Sequence, residues 1–390
     1  MTKSSYMDEV KRILTLVGDP NQVTTRGGQP FFFLQVGKEM GFFTSGLELK
    51  PEKLQIERIL WNIWSLLTTG EKGGFQYSNF FLNRLMMQGN LNKNNLDLIS
   101  YFPLIPPGEW IKKWQVSYYI DATLMQNFKD YGLASKISQK VQRKALKEEY
   151  NHYSLAQRII CRSRWAATSV INDYNISPNK VHVVLPGASI DENIINKVGI
   201  NPSPPLSPLR LGFIGMDWKR KRLPFLLKVA EVLEKRGISV EVVVIGPNRH
   251  NLPSHPLIKP VGFINKQKQM EEFIKLVQSF HFGCLFSSVE GQGQSILESL
   301  RLGVPVLGAN ASGIPDGVPE GLGFLFALDS PPAVVADVLQ FLVENPSMYY
   351  SLRQRVAACA EQFSWKKTVS NFINLWQGSE NFLYEKIAAN

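Results

Sequence analysis

The chain has 390 residues, 44% of them hydrophobic and 19% charged. That is enough apolar mass for two domains with cores of their own, and it excludes a globally disordered chain. The 43 Lys and Arg outnumber the 33 Asp and Glu to give a formal net charge of +10, and the first 200 residues hold 24 of these bases against 17 acids. A basic amino half suits an anionic membrane surface or a negatively charged acceptor, or is a solvated surface with no dedicated partner. Nucleic acid is not expected, because no nucleic-acid module is recognisable. Cys161, Cys284 and Cys359 lie far apart in mostly apolar settings, so reduced thiols are expected rather than disulfides or a metal site. The five histidines match no metal-ligand spacing. The opening MTKSSYMDEVKRILTLVGD lacks the apolar core and cleavage site of a signal peptide. No run of eighteen apolar residues is present to form a transmembrane helix. A cytoplasmic protein is expected, at most peripheral on the inner face of the membrane.

In chain order, residues 12–17 read as a first strand and 18–29 as a loop ending in Gly27-Gly28. Residues 30–40 have helical apolar spacing, with Gly41 as stop. A glycine pair at a strand-to-helix turn lets a ligand approach the backbone closely. Residues 54–67 carry Ile56, Ile59, Leu60, Ile63, Trp64 and Leu67. They predict an amphipathic helix whose apolar face is core or, amid basic residues, a membrane anchor. Residues 70–95 give no clear pattern. Residues 96–102 read as a strand that runs into Tyr-Phe-Pro-Leu-Ile-Pro-Pro. Residues 116–120 predict another, followed by Asp121, which either accepts from a substrate hydroxyl or caps the next helix. Residues 158–161 and 181–185 are further strands.

Asn201-Pro-Ser-Pro-Pro-Leu-Ser-Pro208 reads as a linker. A new strand is predicted over 209–215, then Met216-Asp-Trp-Lys-Arg-Lys-Arg222, with Pro224 suited to the first turn of a helix. Arg220 and Lys221 at such a turn are placed to pair with a diphosphate, or are solvated surface charge. Strands are predicted over 240–245, 259–263, 283–287 and 323–327, and helices over 268–279 and 364–376.

The most informative stretch is Gly283 to Asp316, GCLFSSVEGQGQSILESLRLGVPVLGANASGIPD. It reads as buried strand, glycine-rich loop, helix with Ile296, Leu297 and Leu300 at helical spacing, and a second buried strand from Val304. A strand, crossover helix and strand imply a parallel sheet. Ligands bind at the carboxyl edge of such sheets, which would hold Glu290, Gly291, Gln292, Gly293 and Gln294. Glu290 and Glu298 can accept from pairs of sugar or ribose hydroxyls, and the amides of a helix start suit a phosphate. Equally, Ser295-Ile-Leu-Glu298 fits a capping box, with Glu290 a solvated loop acid.

Glu290, Gly291, Gly293 and Glu298, followed by Gly303-Val-Pro-Val306, resemble the donor-binding signature of family 4 glycosyltransferases, which have the GT-B fold. Relatives usually have phenylalanine where this chain has Gln292, and alanine at Ser299. Asp217-Trp-Lys-Arg-Lys221 is similar to that family's diphosphate-binding turn, though an arginine usually stands at Met216. The resemblance is specific over the carboxyl half and loose over the amino half. It implies an α/β protein of two Rossmann-like domains facing a central cleft. The expected division is an acceptor domain over 1–200, joined by the terminal helix 364–390, a linker over 201–208, and a donor domain over 209–363.

The resemblance also implies a retaining transferase that moves a sugar from a nucleotide diphosphate sugar to a glycan, lipid or small-molecule acceptor. The nucleotide sugar would be a co-substrate, and no cofactor or metal is expected. Arg220 and Lys221 would neutralise the leaving diphosphate, Glu290 hold the sugar and Glu298 the ribose. Gly291, Gly293, Gln294 and Ser295 would line the donor, with Phe263 and Ile264 at the base. Gly27 and Gly28 would face the phosphates and the acceptor. Many relatives carry a histidine where this chain has Ile120-Asp121. Two other readings stay open: another GT-B enzyme such as a sugar-nucleotide epimerase, and a catalytically silent sugar-nucleotide-binding module.

Overall fold

The computed structural model describes residues 11–70, 73–88, 96–101, 114–200 and 204–378. They form two compact units, Met1–Val184 with Val369–Asn390, and Leu185–Thr368. By contacts the chain divides at Val184/Leu185, earlier than the proline-rich segment expected as linker. Its residues from Pro204 on pack in the second unit: His281 accepts the Arg210 N–H through Nδ1 at 2.8 Å and donates from Nε2 to the Pro205 carbonyl at 3.0 Å.

The first unit is a six-stranded parallel sheet of β1 (Lys11–Val17), β2 (Ser45–Leu49), β3 (Leu96–Tyr101), β4 (Gln115–Ile120), β5 (Arg158–Cys161) and β6 (Val181–Val183), in the order β2-β1-β3-β4-β5-β6. Every residue of β3 is buried, the pattern of a strand covered on both faces. Its helices are α1 (Gln29–Glu39), α2 (Gln55–Thr69), α3 (Asn79–Met87), α4 (Leu124–Lys129), α5 (Gln139–Leu155) and α6 (Arg164–Asn172). β2 was not legible in the sequence, and neither was α3 in the glycine- and asparagine-rich stretch. The expected strand extension to Phe102 and the proline run after it lie outside the described residues.

The second unit repeats the plan with β7 (Leu209–Ile214), β8 (Val240–Ile245), β9 (Ile258–Gly262), β10 (Phe282–Leu285), β11 (Val306–Ala309) and β12 (Gly323–Phe326), all parallel, in the order β12-β11-β10-β7-β8-β9. Its helices are α7 (Glu192–Val198), α8 (Leu223–Lys235), α9 (Met270–Gln278), α10 (Gln294–Arg301), α11 (Pro332–Glu344) and α12 (Pro346–Cys359). α8 shows why such segments are helical. Leu223, Leu226, Leu227, Ala230 and Leu233 fall on one buried stripe, Pro224 occupies the first turn and Gly237 follows the end at φ +80°. β7 feeds β8 on one side while β10 pairs on its other side, so the chain reverses direction between β7 and β10. The loops leaving these two strands meet at that switch point.

Helix α13 (Trp365–Trp376) begins in the second unit and ends in the first. There the Phe372 ring lies 4.8 Å from Phe33 and 5.0 Å from Tyr119, and Trp376 Nε1 donates to Asp97 at 2.6 Å. Asp97, 1% exposed, also takes Arg12 Nε at 2.8 Å.

Helix α2 forms where the apolar periodicity predicts it but is turned the other way from a core helix. Its Trp61 and Asn62 face inward, with Trp61 Nε1 donating to the Gly73 carbonyl at 2.9 Å and Asn62 accepting the Gly73 N–H at 3.1 Å. The apolar stripe is exposed.

Buried Glu149 on α5 ties three elements together. It accepts from Tyr153 at 2.8 Å, from the Leu124 N–H at 2.9 Å and from the Tyr174 hydroxyl. Burial raises its carboxyl to about 7 despite these donors. The folded state therefore binds this proton more tightly than the unfolded chain. Its stabilising effect is complete below about pH 4.5 and is lost as pH rises to about 7. Glu149→Gln should flatten that part of the stability profile by on the order of 3 kcal/mol. Urea melts of both proteins across pH 4.5–7.5 check this, and parallel profiles would remove Glu149 as the cause.

Candidate active site

The loop leaving β7 carries Arg220 and Lys221. Its backbone closes on Asp217, whose carbonyl accepts the Lys221 N–H at 3.0 Å and whose carboxylate accepts the Arg220 N–H at 3.1 Å. Lys221 then folds across Gly215, where a Cβ would sit 2.4 Å from the lysine Cδ. Its ammonium donates to the Ile214 carbonyl at 3.2 Å. The glycine is needed for this close approach.

Glu290, on the loop leaving β10, meets these cations. It lies 3.0 Å from Arg220 and 3.6 Å from Lys221, with Ser287 Oγ donating at 3.3 Å. Arg220 also donates to the Val289 carbonyl at 2.8 Å. The three charges stand mostly shielded from solvent, the side chains of Lys221 and Glu290 each being 14% exposed. Arg220 also pairs with the Asp217 carboxylate at 3.5 Å, so two cations stand against two carboxylates at the switch point. Glu290 is thus a charged member of this cluster and not a solvated loop acid.

The capping box expected at Ser295 and Glu298 does not form. Gly293, left-handed at φ +80°, is the N-cap and no side chain caps α10. Ser295 lies inside the first turn, its hydroxyl buried without a hydrogen-bond partner. Glu298 is 2% exposed and pairs with Lys266, whose ammonium also lies 4.3 Å from the Phe273 ring. Lys266 was missed by sequence reasoning. Its only signal was a lysine soon after Phe263 on the loop leaving β9.

The other donor-side residues divide. Phe263 is 63% exposed and open to a ligand, whereas Ile264 is buried in the core and offers no side chain. Gln294 donates from Nε2 to the Gly187 carbonyl at 3.0 Å and to Ser189 Oγ at 3.1 Å, so its amide anchors the turn before α7. Gly291 is buried between Glu290 and Gln292. Gln292 is buried with neither amide atom hydrogen-bonded, and Gly317 backs onto it, a Cβ there falling 3.0 Å from Nε2.

In the first unit, Gly27 and Gly28 complete a left-handed turn with φ +68° and +87° at the start of α1. Asp121 does not cap α4. Thr123 does, in a reciprocal capping box with Gln126. Asp121 instead stands near enough to Arg26 to act on its charge. Gln29 accepts from Tyr101 at 2.5 Å and from Arg162 at 2.8 Å, and Arg162 lies 4.1 Å from the Tyr101 ring. Arg26, Gln29, Tyr101 and Arg162 went unread in the sequence, since they join only when β1, β3, β4 and β5 are laid in one sheet. Among the described residues, no group of three or more His, Cys, Asp or Glu could hold a metal ion. His152, His182 and His281 are pushed down to about 4 by burial and stay neutral.

The family model of the group 1 glycosyl transferases matches residues 208–345, the span that holds this second sheet and its loops. Over that span the chain carries a domain of the group 1 glycosyl transferases. D-inositol 3-phosphate glycosyltransferase of Salinispora arenicola (strain CNS-205) is 24% identical over 336 residues, covering 80% of this chain and 75% of that protein. Against other curated relatives the chain spans about half of their length. Among solved structures, sucrose-phosphate synthase from Thermosynechococcus elongatus superposes with a TM-score of 0.64 at 13% identity, covering 95% of this chain and 99% of that one. Anabaena HepE in complex with UDP and glucose gives 0.58 at 15% identity, covering 95% and 100%. The chain has the GT-B fold of these neighbours, with its two parallel six-stranded sheets.

The Lys266–Glu298 pair gives a direct test of this geometry. Lys266→Met strands a buried carboxylate and should cost about 2–4 kcal/mol. Adding Glu298→Gln should recover more than half of that loss. Urea melts of the two variants and the double variant measure the coupling, and additive losses would show that the pair does not form.

Proposed function

We propose that this glycosyltransferase moves a sugar from a nucleotide diphosphate sugar to an acceptor with retention at the anomeric carbon. The observation that carries the reading is the cluster of Arg220, Lys221 and Glu290 at the switch point, beside the uncapped start of α10. Departure of a diphosphate builds negative charge, and prepositioned cations lower that barrier. Arg220 and Lys221 are suited to this without a metal ion. The amides from Gly293 to Ser295 are suited to hold a phosphate at the helix start. Glu290 would take sugar hydroxyls in exchange for its present cations. Glu298 would take ribose hydroxyls on one oxygen while Lys266 keeps the other. The exposed ring of Phe263 would cover the base.

The acceptor side is read from the first unit. Arg26 and Arg162 near the Gly27-Gly28 turn favour an acceptor with an anionic group, whether glycan, lipid or small molecule. The inositol phosphate named for the Salinispora relative is one such chemistry. The HepE complex makes UDP sugars the first donors to try.

Arg220→Ala and Lys221→Ala should each cost ten- to a hundredfold in kcat/KM, since a charge-assisted hydrogen bond contributes about 1.5–3 kcal/mol. Normal kinetics in a folded double variant would reduce the cluster to surface charge. Glu298→Gln should weaken nucleoside diphosphate binding by about 1–2 kcal/mol. Glu290→Gln should bind the diphosphate at least as well, because the cations are released from their carboxylate, yet lose turnover. Calorimetric titration with UDP and GDP, beside turnover of the full donor, separates the roles. Tight donor binding by the native protein without transfer or hydrolysis would instead favour the binding-module reading.

A further inference from the structure

We propose that helix α2 is an in-plane docking surface for the interface of an anionic lipid bilayer. The inference does not depend on the identity of the sugar donor or acceptor. Its first support is the inverted orientation of the helix. Ile56, Ile59, Leu60, Ile63, Trp64 and Leu67 are 72, 58, 61, 53, 53 and 81% exposed. Their spacing places all six on one stripe. A stripe of this kind normally turns inward, yet here the inward positions are Trp61 and Asn62, hydrogen-bonded to Gly73. Exposed Phe80 of α3 widens the patch. Its ring stacks on Trp61 at 6.4 Å and 15° between planes. A contiguous apolar patch of this size on a water-soluble surface marks an interaction site.

Charge complementarity selects the occupant. Lys144 of α5 sits 5.3 Å from the Trp61 ring, and Arg84 of α3 sits 5.7 Å from the Phe80 ring. Lys140, Lys144 and Lys147 are exposed at one-turn spacing along α5. Glu148 beside them is only half-exposed, and Arg58 is exposed on α2 itself with Glu57 half-buried. Apolar side chains rimmed by lysine and aromatic rings match the acyl-to-headgroup boundary of an anionic leaflet. The helix of 15 residues is about 22 Å long. Among the described residues, no helix is long and apolar enough to cross a membrane, so α2 would lie in the surface plane. A second copy is a poorer occupant, because a two-fold interface would set the same basic rim against itself.

The test uses the full chain and vesicle co-sedimentation. Phosphatidylcholine vesicles are compared with vesicles that also contain phosphatidylglycerol, at low and high salt. Binding should require the anionic lipid and fall as salt rises. Leu60→Ser with Leu67→Ser should weaken partition at least about tenfold, as each removed side chain contributes strongly when buried. Lys140→Gln, Lys144→Gln and Lys147→Gln together should do the same. Neither variant should melt at a lower temperature, because these side chains touch little of the protein. Binding to neither vesicle, or to both equally, overturns the proposal. So does a lowered melting temperature in the Leu60→Ser, Leu67→Ser variant, which would show the face covered by the chain itself. A dimer in sedimentation equilibrium that this variant dissolves would assign the face to a second copy instead.

Discussion

The contact on which the proposed chemistry of the second unit depends is the one between Glu290 and the Arg220–Lys221 pair. It joins two loops that leave β7 and β10, the strands on either side of the switch point. Neither loop has regular structure to hold it. The β7 loop is shaped by Asp217, which binds the backbone amides of the two basic residues, and by Gly215, which makes room for the lysine stem. The charges are then held in place by their own backbone and not by long flexible stems alone. Preorganisation of this kind is what separates a phosphate site from a basic surface, where the same residues would be solvated and worth little.

How much of this was legible follows from how local each feature is. The second sheet was readable because its strands are short apolar runs and its ligand loops carry glycine, carboxylate and basic residues at fixed spacing. Glu290, Arg220 and Lys221, which the family resemblance set at one donor site, lie together. Glu298 was read with two roles, and the structure gives it a third partner, Lys266, which lies 32 residues away in sequence. No local pattern announces such a pair. Of the two readings of Asp121, the cap fails because Thr123, two residues on, caps the helix with a Gln126 to reciprocate. The proline-rich stretch reads as a linker by stiffness, yet the division between units is set by contacts, and His281 holds that stretch in the second unit.

Helix α2 marks the sharpest limit of periodicity. Spacing says that six apolar residues share a face, but not which way that face points. Direction was decided by Gly73, whose backbone takes the polar edge of the helix through Trp61 and Asn62. A hydrogen bond to the backbone of the loop that follows is invisible to the apolar spacing along the helix. The same property explains why the notion of a core helix was natural: an amphipathic helix is most often buried on its apolar side.

The charge balance at the switch point carries a further consequence for the proposed reaction. In the proposed reaction the carboxylate of Glu290 and the donor diphosphate compete for Arg220 and Lys221. A bare nucleoside diphosphate must displace Glu290, leaving a half-buried carboxylate with Ser287 as its nearest donor. An uncompensated buried charge costs several kcal/mol unless it finds new hydrogen bonds. A complete sugar nucleotide supplies them, because its hydroxyls can donate to the released carboxylate while its phosphates take the cations. Binding of the sugar and binding of the diphosphate are therefore coupled through one residue. In that reaction, once the sugar had left, Glu290 would lose its hydroxyl partners and its return to Arg220 and Lys221 would favour release of the diphosphate product. In the proposed reaction a carboxylate that fixes the sugar would also oppose product inhibition, a role that needs the Arg220, Lys221 and Glu290 side chains within direct reach of one another, as they are here.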